Sequence, residues 1–492
     1  MMAVFPLIVL SFFVIYIVHF YWKISKYPRG PFPWPIIGNI LQLPAENFHV
    51  YFDELSKTYG PCYTIWTPLP NVVLTDYEHV KDALVTKGNT FNYRSQRPPE
   101  SLLHEHENTG IGMSDGENWR IQRRTCLKIL RDFGMGKQVM EQNVLRSTRE
   151  MLAHLEALNR KDEVDLFWPV QLCVGNVINE LLFGYHYQHH DLEKFQHFVG
   201  IVDNHLKQMH GKCVALIGAF PWMKHLPVIG SIGYHDIKRN IATYEKFIEE
   251  EVAVQIRQMD ETQEPENFVH AYCNQMNANE VASLDMTNLV ANVVDFWMAG
   301  METTSTALRW HFAYMLKFPN VQDRIRKEIL ETIGALRLPS TADKVNMPYT
   351  QAVIHEVFRH SNMAPALASH VCKEDTSILG IPIPAGTNIL PQIWSIQRHD
   401  NAFKDPLVFN PDIFLNADGK TFNKTTLERT IPFSFGKRNC VGESLARMEL
   451  FLVSTALLQK YRLVATSEVD LTPVWGAALT PKPYTCRLIK VA

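Results

Sequence analysis

Cys440 stands in the segment Pro432-Phe433-Ser434-Phe435-Gly436-Lys437-Arg438-Asn439-Cys440-Val441-Gly442, directly before a strongly amphipathic stretch, Glu443 to Lys460. A cysteine in a glycine-flanked loop at a helix amino terminus meets free backbone N–H groups and the positive end of the helix dipole. Both favour the thiolate. Gly436 and Gly442 permit turns that aim N–H groups at the sulfur, and Arg438 adds a cation. Most isolated cysteines are inert buried thiols; here the glycines, the arginine and the following helix argue for a reactive one. The eight cysteines lie at 62, 126, 173, 213, 273, 372, 440 and 486, so no CxxC zinc or redox pair exists. A single thiolate with no second cysteine or close histidine suits haem iron better than zinc.

A second group of chemical residues lies in Met286 to Phe318, an unusually long helical candidate stopped by Pro319. Its middle reads Ala299-Gly300-Met301-Glu302-Thr303-Thr304. Gly300 costs about 1 kcal/mol relative to alanine in a helix interior. The run is either surface polarity on an amphipathic helix or a local opening with a hydroxyl beside it. Asp295, amid apolar neighbours, is either a structural carboxylate bonded to backbone or histidine, or a contact for a substrate amine or hydroxyl. Glu356 and Arg359 are spaced for an ion pair on a helix beginning near Pro348, and Trp119 and Arg123 would share one helix face. His186, His189 and His190 read as a solvated turn rather than a metal site, and His104 and His106 take the same discount.

These residues need a large scaffold. The chain has 492 residues, 46% hydrophobic and 20% charged, ordinary for a globular protein with a sizeable core. A formal charge of −3 excludes a strongly basic nucleic-acid binder and a disordered acidic chain. The scattered cysteines fit a reducing compartment. Ala3 to Trp22 is a mostly apolar run long enough to cross a bilayer, followed by Lys23, Lys26 and Arg29, which hold the downstream side in the cytosol. A cleaved signal peptide would need a basic start and a small-residue end, and neither is present. The predicted organisation is a transmembrane anchor at 1–22, a basic, proline-rich, stiff and extended hinge at 23–39, and one large helix-rich domain at 40–492. Strands are expected at Cys62 to Trp66, Asn71 to Leu74, Ser377 to Ile383 and Thr387 to Leu390, with a Pro-Ala-Gly turn between the last two. Helices are expected at Met140 to Leu158 and Val321 to Ile333.

The Cys440 segment resembles the haem-binding signature FxxGxRxCxG of the cytochrome P-450 superfamily at every specified position. Ala299 to Thr304 resembles the family's oxygen-activation motif [AG]Gx[DE]T[TS]. Glu356-Val-Phe-Arg359 resembles its ExxR, Trp119 and Arg123 its WxxxR, and the proline-rich arm the hinge of its membrane-bound, animal microsomal members. The resemblance implies a mainly α fold with a minor β part around a buried haem b (iron protoporphyrin IX). It makes Cys440 the axial thiolate and metal ligand. Phe433, Gly436, Arg438 and Ala299 would contact the cofactor, and Trp119, Arg123, Arg438 and His370 would serve its propionates. Thr303 and Glu302 would form an acid–alcohol proton relay. In the family the ExxR pair is buried and reaches a third residue, often the arginine of a PxRF motif; Phe409 to Phe414 departs from that pattern, with Ile413 in its place.

By the same resemblance the substrate lies over the haem. Its walls would come from Leu102 to Gly112, Phe198 to Phe220, Asp295, Met298, Ala299, Ala364 to Ala368 and Gly476 to Leu479. Most of these are apolar, as suits a lipophilic small molecule. The implied enzyme is an endoplasmic-reticulum monooxygenase, single-pass with a cytosolic catalytic domain, that hydroxylates or epoxidises fatty acids, steroids or xenobiotics. The chain has no flavin or nicotinamide fingerprint, so NADPH–cytochrome P-450 reductase is the expected electron donor, with cytochrome b5 as a second. Lys437, Arg438 and Arg447, with Lys128 and Arg131, are the expected basic docking residues. The alternatives are a reductase-independent haem-thiolate isomerase or dehydratase, against which the Glu302–Thr303 pair argues, and a non-catalytic haem-binding sensor.

Overall fold

The computed structural model describes residues 4–491 apart from 45, 135–137, 190–191, 261, 279–280 and 477. The chain forms two compact units with interleaved segments: one comprises residues up to Ser95, Ala364–Asn401 and Ser434–Asn439, the other Gln96–Met363, Ala402–Phe433 and Cys440 onward. The sequence suggested one large domain because no linker is visible. The boundaries escape a linear reading because the smaller unit gathers a sheet from segments about 300 residues apart.

The smaller unit begins with α1 (Val4–Ile24). Phe20, near its end, is buried and meets Trp66 with ring centroids 5.9 Å apart, while Ile8 to Val18 present a largely exposed apolar surface. Among the described residues no helix is long and apolar enough to cross a membrane; residues 1–3 of the expected anchor lie outside the described residues. The proline-rich arm is not simply extended. Trp34 and Gly38 exchange backbone hydrogen bonds of 2.9 and 2.8 Å around Ile36, whose φ is +72°. The Asn39 amide then donates to Pro31 O and Phe32 O, stitching the arm into a turn. After α2 (Phe48–Tyr59) come β1 (Cys62–Thr67) and β2 (Leu69–Leu74). Together with β3 (His370–Val371) and β6 (Asn388–Pro391) they join a four-stranded sheet of order β1-β2-β6-β3. The stretch read as one strand from Ser377 is instead a hairpin, β4 (Thr376–Ile378) and β5 (Ile381–Ile383). Leu379 and Gly380, with φ of +45° and +83°, supply the two left-handed positions that tight two-residue hairpin turns need. The last strand is β6 (Asn388–Pro391), parallel to β2 and antiparallel to β3.

The larger unit is helical. Its main members are α3 (Gly116–Asp132), α4 (Gln138–Ala157), α5 (Phe167–Phe183), α6 (Glu193–Met209), α7 (Asp236–Gln258), α8 (Met286–Lys317), α9 (Pro319–Thr332), α10 (Pro348–Ser361) and α11 (Glu443–Lys460). β7 (Tyr461–Ala465) and β8 (Cys486–Lys490) pair antiparallel. α8 starts where Asp285 accepts the Asn288 N–H at 2.7 Å and stops at Phe318 before Pro319, as expected from a cap and a breaker. α8 packs most extensively on α5, with α11, α7 and α10 also against it. An alanine Cβ at Gly300 would come 2.6 Å from Ile178 Cδ1 of α5, so the glycine serves this close packing.

Candidate active site

In the larger unit, Cys440 N–H donates to Phe433 O at 3.0 Å and closes the loop that delivers the sulfur to the start of α11. Burial pushes the Cys440 thiol above its ordinary value, while the Gly442 and Glu443 N–H groups and the Arg123 charge pull it down. A bound metal is the remaining influence that makes such a thiol a thiolate. Of the eight cysteines, Cys440 alone is exposed; six are buried and Cys213 is intermediate. An exposed cysteine whose sulfur faces two backbone N–H groups, at a place enclosed enough to raise its pKa, fits an axial ligand. Phe433 packs edge-on against Phe358, with centroids 5.2 Å apart, and under the Arg447 guanidinium at 4.8 Å.

From Asn288 to Leu316 of α8, only Ala299 and Thr303 are exposed. They lie four residues apart on one face, so the helix opens a single small patch on an otherwise covered surface. Thr303 Oγ1 donates to Ala299 O at 2.7 Å, which turns its oxygen lone pairs outward. Glu302 leaves the helix about 100° away. It accepts from Gln171 Nε2 and Thr306 Oγ1, both at 3.4 Å, and burial, then Asp203, raises its pKa. Glu302 therefore holds a proton more readily than an ordinary glutamate.

Asp295 takes the structural course of its two readings. Its Oδ2 accepts the N–H groups of Ile111 and Gly112 at 2.8 and 2.9 Å, and His104 Nε2 lies 3.1 Å from Oδ1. With both oxygens engaged it has little to offer a substrate. Met298 is partly buried in the unit's core. Leu479 is fully buried and offers no open surface; its N–H donates to Met363 O and its carbonyl accepts from Trp310 Nε1, both at 2.8 Å. Phe198, at one edge of the expected wall, is likewise core, 4.0 Å between centroids from Trp297. Trp119 is buried on α3, with the Arg123 guanidinium 5.9 Å from its ring. Burial lowers the Arg123 pKa and Cys440 offsets it, so the cation and the sulfur feel one another.

The Glu356–Arg359 pair is fully buried and bidentate: Nε to Oε2 at 2.6 Å and Nη2 to Oε1 at 2.7 Å. Where the family often uses an arginine, main chain completes the network. Arg359 donates to Pro406 O at 2.7 Å and Val408 O at 3.3 Å, and Asn410 N–H donates to Glu356 Oε1 at 2.8 Å. Ile413 instead packs against the core.

The smaller unit carries its own donor set. Arg438 is buried, with Nε donating to Asn92 O at 2.8 Å, which removes it from the exposed docking residues. His370 is buried and donates Nδ1–H to Phe91 O at 2.6 Å. Burial, then Arg94, then Arg438 hold its pKa far below normal, so it is neutral. Arg94 was missed by sequence reasoning. It is buried and donates to Ala368 O and Ser369 O at 3.1 and 2.7 Å. No spacing marks it, because its partners lie some 270 residues on. Two arginines and a histidine held together on backbone carbonyls make a cationic nook suited to carboxylates such as haem propionates. Gly436, at φ +80°, lies so close to Leu84 that a Cβ would be 1.9 Å from its carbonyl oxygen. Ala364 is partly buried at the start of a segment of this unit.

Elsewhere, His186 pairs with Glu150 and Glu180 at 3.1 and 3.3 Å, so its side chain is largely covered by carboxylate partners rather than solvated as expected. His189 stacks on His154 with centroids 4.1 Å apart, and His190 lies outside the described residues. Among the described residues no group of three or more His, Cys, Asp or Glu could hold a metal ion.

An accessible cysteine at a helix start, a nearby arginine and a long helix with one open alanine–threonine patch define a helix-rich haem-thiolate protein. The chain belongs to the cytochrome P450 family, whose model matches residues 28–488. It is 34% identical over 475 residues to cytochrome P450 2C23 of Rattus norvegicus, with 94% of each chain covered. It is 35% identical over 473 residues to cytochrome P450 2H2 of Gallus gallus, again with 94% of each covered, and 33% identical over 477 to cytochrome P450 2K4 of Oncorhynchus mykiss, with 94% and 91% covered. It is accordingly a monooxygenase with a haem held by a cysteine thiolate, and the family works with a redox partner on lipophilic substrates in general.

Proposed function

We propose that Cys440 is the axial ligand of an NADPH-supported monooxygenase that hydroxylates or epoxidises fatty acids, steroids or xenobiotics. The accessible sulfur at the start of α11 carries the reading. Bound haem supplies dioxygen chemistry, in which the thiolate's electron donation favours O–O cleavage; this is the known chemistry of the family. The protein's share is to hold the group and to time protons. Phe433 and Gly436 shape the ligand loop, Ala299 would leave a small surface for the group, and Trp119 and Arg123 of the larger unit and Arg438, His370 and Arg94 of the smaller would each offer donors to its propionates. Neutral His370 has its Nδ1–H committed, so Nε2 gains a proton to donate only when an anion raises its pKa. Glu302 stores a proton and Thr303 positions its acceptor. Because the two side chains diverge, water must carry the proton between them. The intact pair favours oxygenation over a reductase-independent isomerase. Cys440→Ser should abolish the ferrous–carbonyl band of thiolate-bound iron; retention of that band would refute the assignment. Incubation with reductase and a lipid library should yield oxygenated products and identify the substrate class.

The exposed apolar run on α1, followed by Lys23, Lys26 and Arg29, supports attachment to the endoplasmic-reticulum membrane with the catalytic part cytosolic. Alkaline carbonate should leave the full chain in the membrane pellet; release into the supernatant refutes the anchor. NADPH–cytochrome P-450 reductase is the proposed donor and cytochrome b5 an auxiliary one. Lys437, Lys128 and Arg131 are the candidate docking cations, and charge reversal at Lys128 or Lys437 should slow reduction in a salt-dependent way.

A further inference from the structure

The Leu102–Gly112 loop is tied down by a buried histidine that neither haem binding nor proton delivery uses. His104 is 4% exposed. Its Nε2 lies 3.1 Å from Asp295 Oδ1 on α8, and its Nδ1 lies 3.2 Å from Glu245 Oε1 on α7. A histidine donates through both nitrogens only as imidazolium. The surroundings are built to hold it. Gly110, at φ +71°, approaches so closely that a Cβ would lie 2.4 Å from Asp295 Oδ2 and 3.1 Å from His104 Nε2. Glu245 Oε1 also accepts the Glu105 N–H at 3.1 Å, and Lys238 of α7 donates to Glu105 O at 2.8 Å. Asp295 lies one turn before Ala299, so the His104 side chain ties this loop to α7 and to the stretch of α8 that leads to the open patch.

We propose that His104 is a positioning residue, a charged latch that holds the Leu102–Gly112 loop on α7 and α8 and thereby sets how fast bulky ligands reach and leave the haem. This rests on the reading that the loop walls the substrate space. The two carboxylates raise the His104 pKa to about 9 against the opposing effect of burial. The latch is therefore charged at neutral pH and loses its charge as pH rises through about 9. The other shifted groups facing it stay uncharged over that range. From α6, His205 is held neutral, its pKa lowered to about 4 by burial and then by His104. Burial pushes the Cys126 thiol of α3 and the Tyr244 hydroxyl of α7 upward, with Asp295 adding to each. Glu245 and Asp295 are the acceptors themselves, and Lys238 is the loop's second tether.

The test uses the haem-loaded full chain, mixed rapidly with clotrimazole as a bulky iron-coordinating azole and with imidazole as a small one, followed by absorbance at pH 7.5 and pH 10. Clotrimazole on- and off-rates of the wild type should both rise about tenfold or more at pH 10, since a charged hydrogen bond contributes of that order. Imidazole rates, compared as free base, should stay level. His104→Gln should show fast clotrimazole exchange at both pH values. Slow, pH-independent clotrimazole exchange in the wild type overturns the latch, with no variant needed. Wild-type rates in a folded His104→Gln enzyme overturn it equally. If imidazole produces no spectral shift at all, the haem-thiolate reading falls and the latch with it.

Discussion

Arg359→Lys isolates the part of the ExxR network that this chain builds from backbone. The hydrogen bonds of Arg359 include two to Glu356, one to Pro406 O and one to Val408 O. All come from one planar fork, and the side chain is almost fully buried. An ammonium on a flexible stem keeps the charge but cannot reach a carboxylate and two diverging carbonyls together. At least two charge-assisted bonds are lost, at roughly 1.5–3 kcal/mol each, giving about 3–6 kcal/mol. Breaking one side of a buried ion pair costs about 3–5 kcal/mol, which agrees. At ~2–4 °C per kcal/mol for a large domain, the melting temperature should fall by roughly 6–20 °C. The assay is thermal unfolding of the haem-loaded full chain, followed by circular dichroism and by the haem band. Ile413→Arg added to Arg359→Lys should restore nothing, because the Asn410 N–H already occupies the Glu356 Oε1 that a second guanidinium would compete for. A loss below about 1 kcal/mol, or rescue by the arginine, would show that main chain is not the third partner.

Three further outcomes follow from individual groups. Gly436→Ala adds about 1–2 kcal/mol of left-handed backbone strain, and its Cβ would fall 1.9 Å from the rigid Leu84 carbonyl oxygen; a sharply reduced haem-to-protein ratio is expected, and full loading refutes the close approach. Glu449 is buried in α11 with neither carboxylate oxygen hydrogen-bonded among the described residues, and burial raises its pKa far above normal. The folded state thus keeps a proton that the unfolded chain releases above about pH 4.5, so stability from this group is lost as pH rises. Glu449→Gln should remove that slope of about 1.4 kcal/mol per pH unit and be more stable than wild type at pH 8 by denaturant titration; a parallel pH dependence would count against it. Thr303→Ala should divert NADPH-derived electrons to peroxide or water, and tight coupling of product to NADPH would remove Thr303 from proton delivery.

The sequence by itself determined the local chemistry. Cys440 between two glycines before a helix, the Ala299–Thr304 run and the Glu356–Arg359 spacing are short-range patterns, and the helix termini at Met286, Pro348, Glu443 and Lys460 follow from caps, prolines and periodicity over a few turns; α11, amphipathic by sequence, is instead buried without a break from Met448 to Gln459 because neighbours cover every side. Only the tertiary structure decided which of those groups face each other. Arg94 and Arg438 both act on His370 from distant parts of the chain, main chain from Pro406 to Asn410 stands in for the arginine that Ile413 replaces, and Asp295 closes on His104 rather than on open space. The hairpin at Leu379–Gly380 was hidden because its strands are only three residues long, too short to show alternation. A pattern in sequence reports the surface one element must bury, whereas the partner that buries it is chosen by packing, where loop closure over hundreds of residues costs only slightly more than over tens.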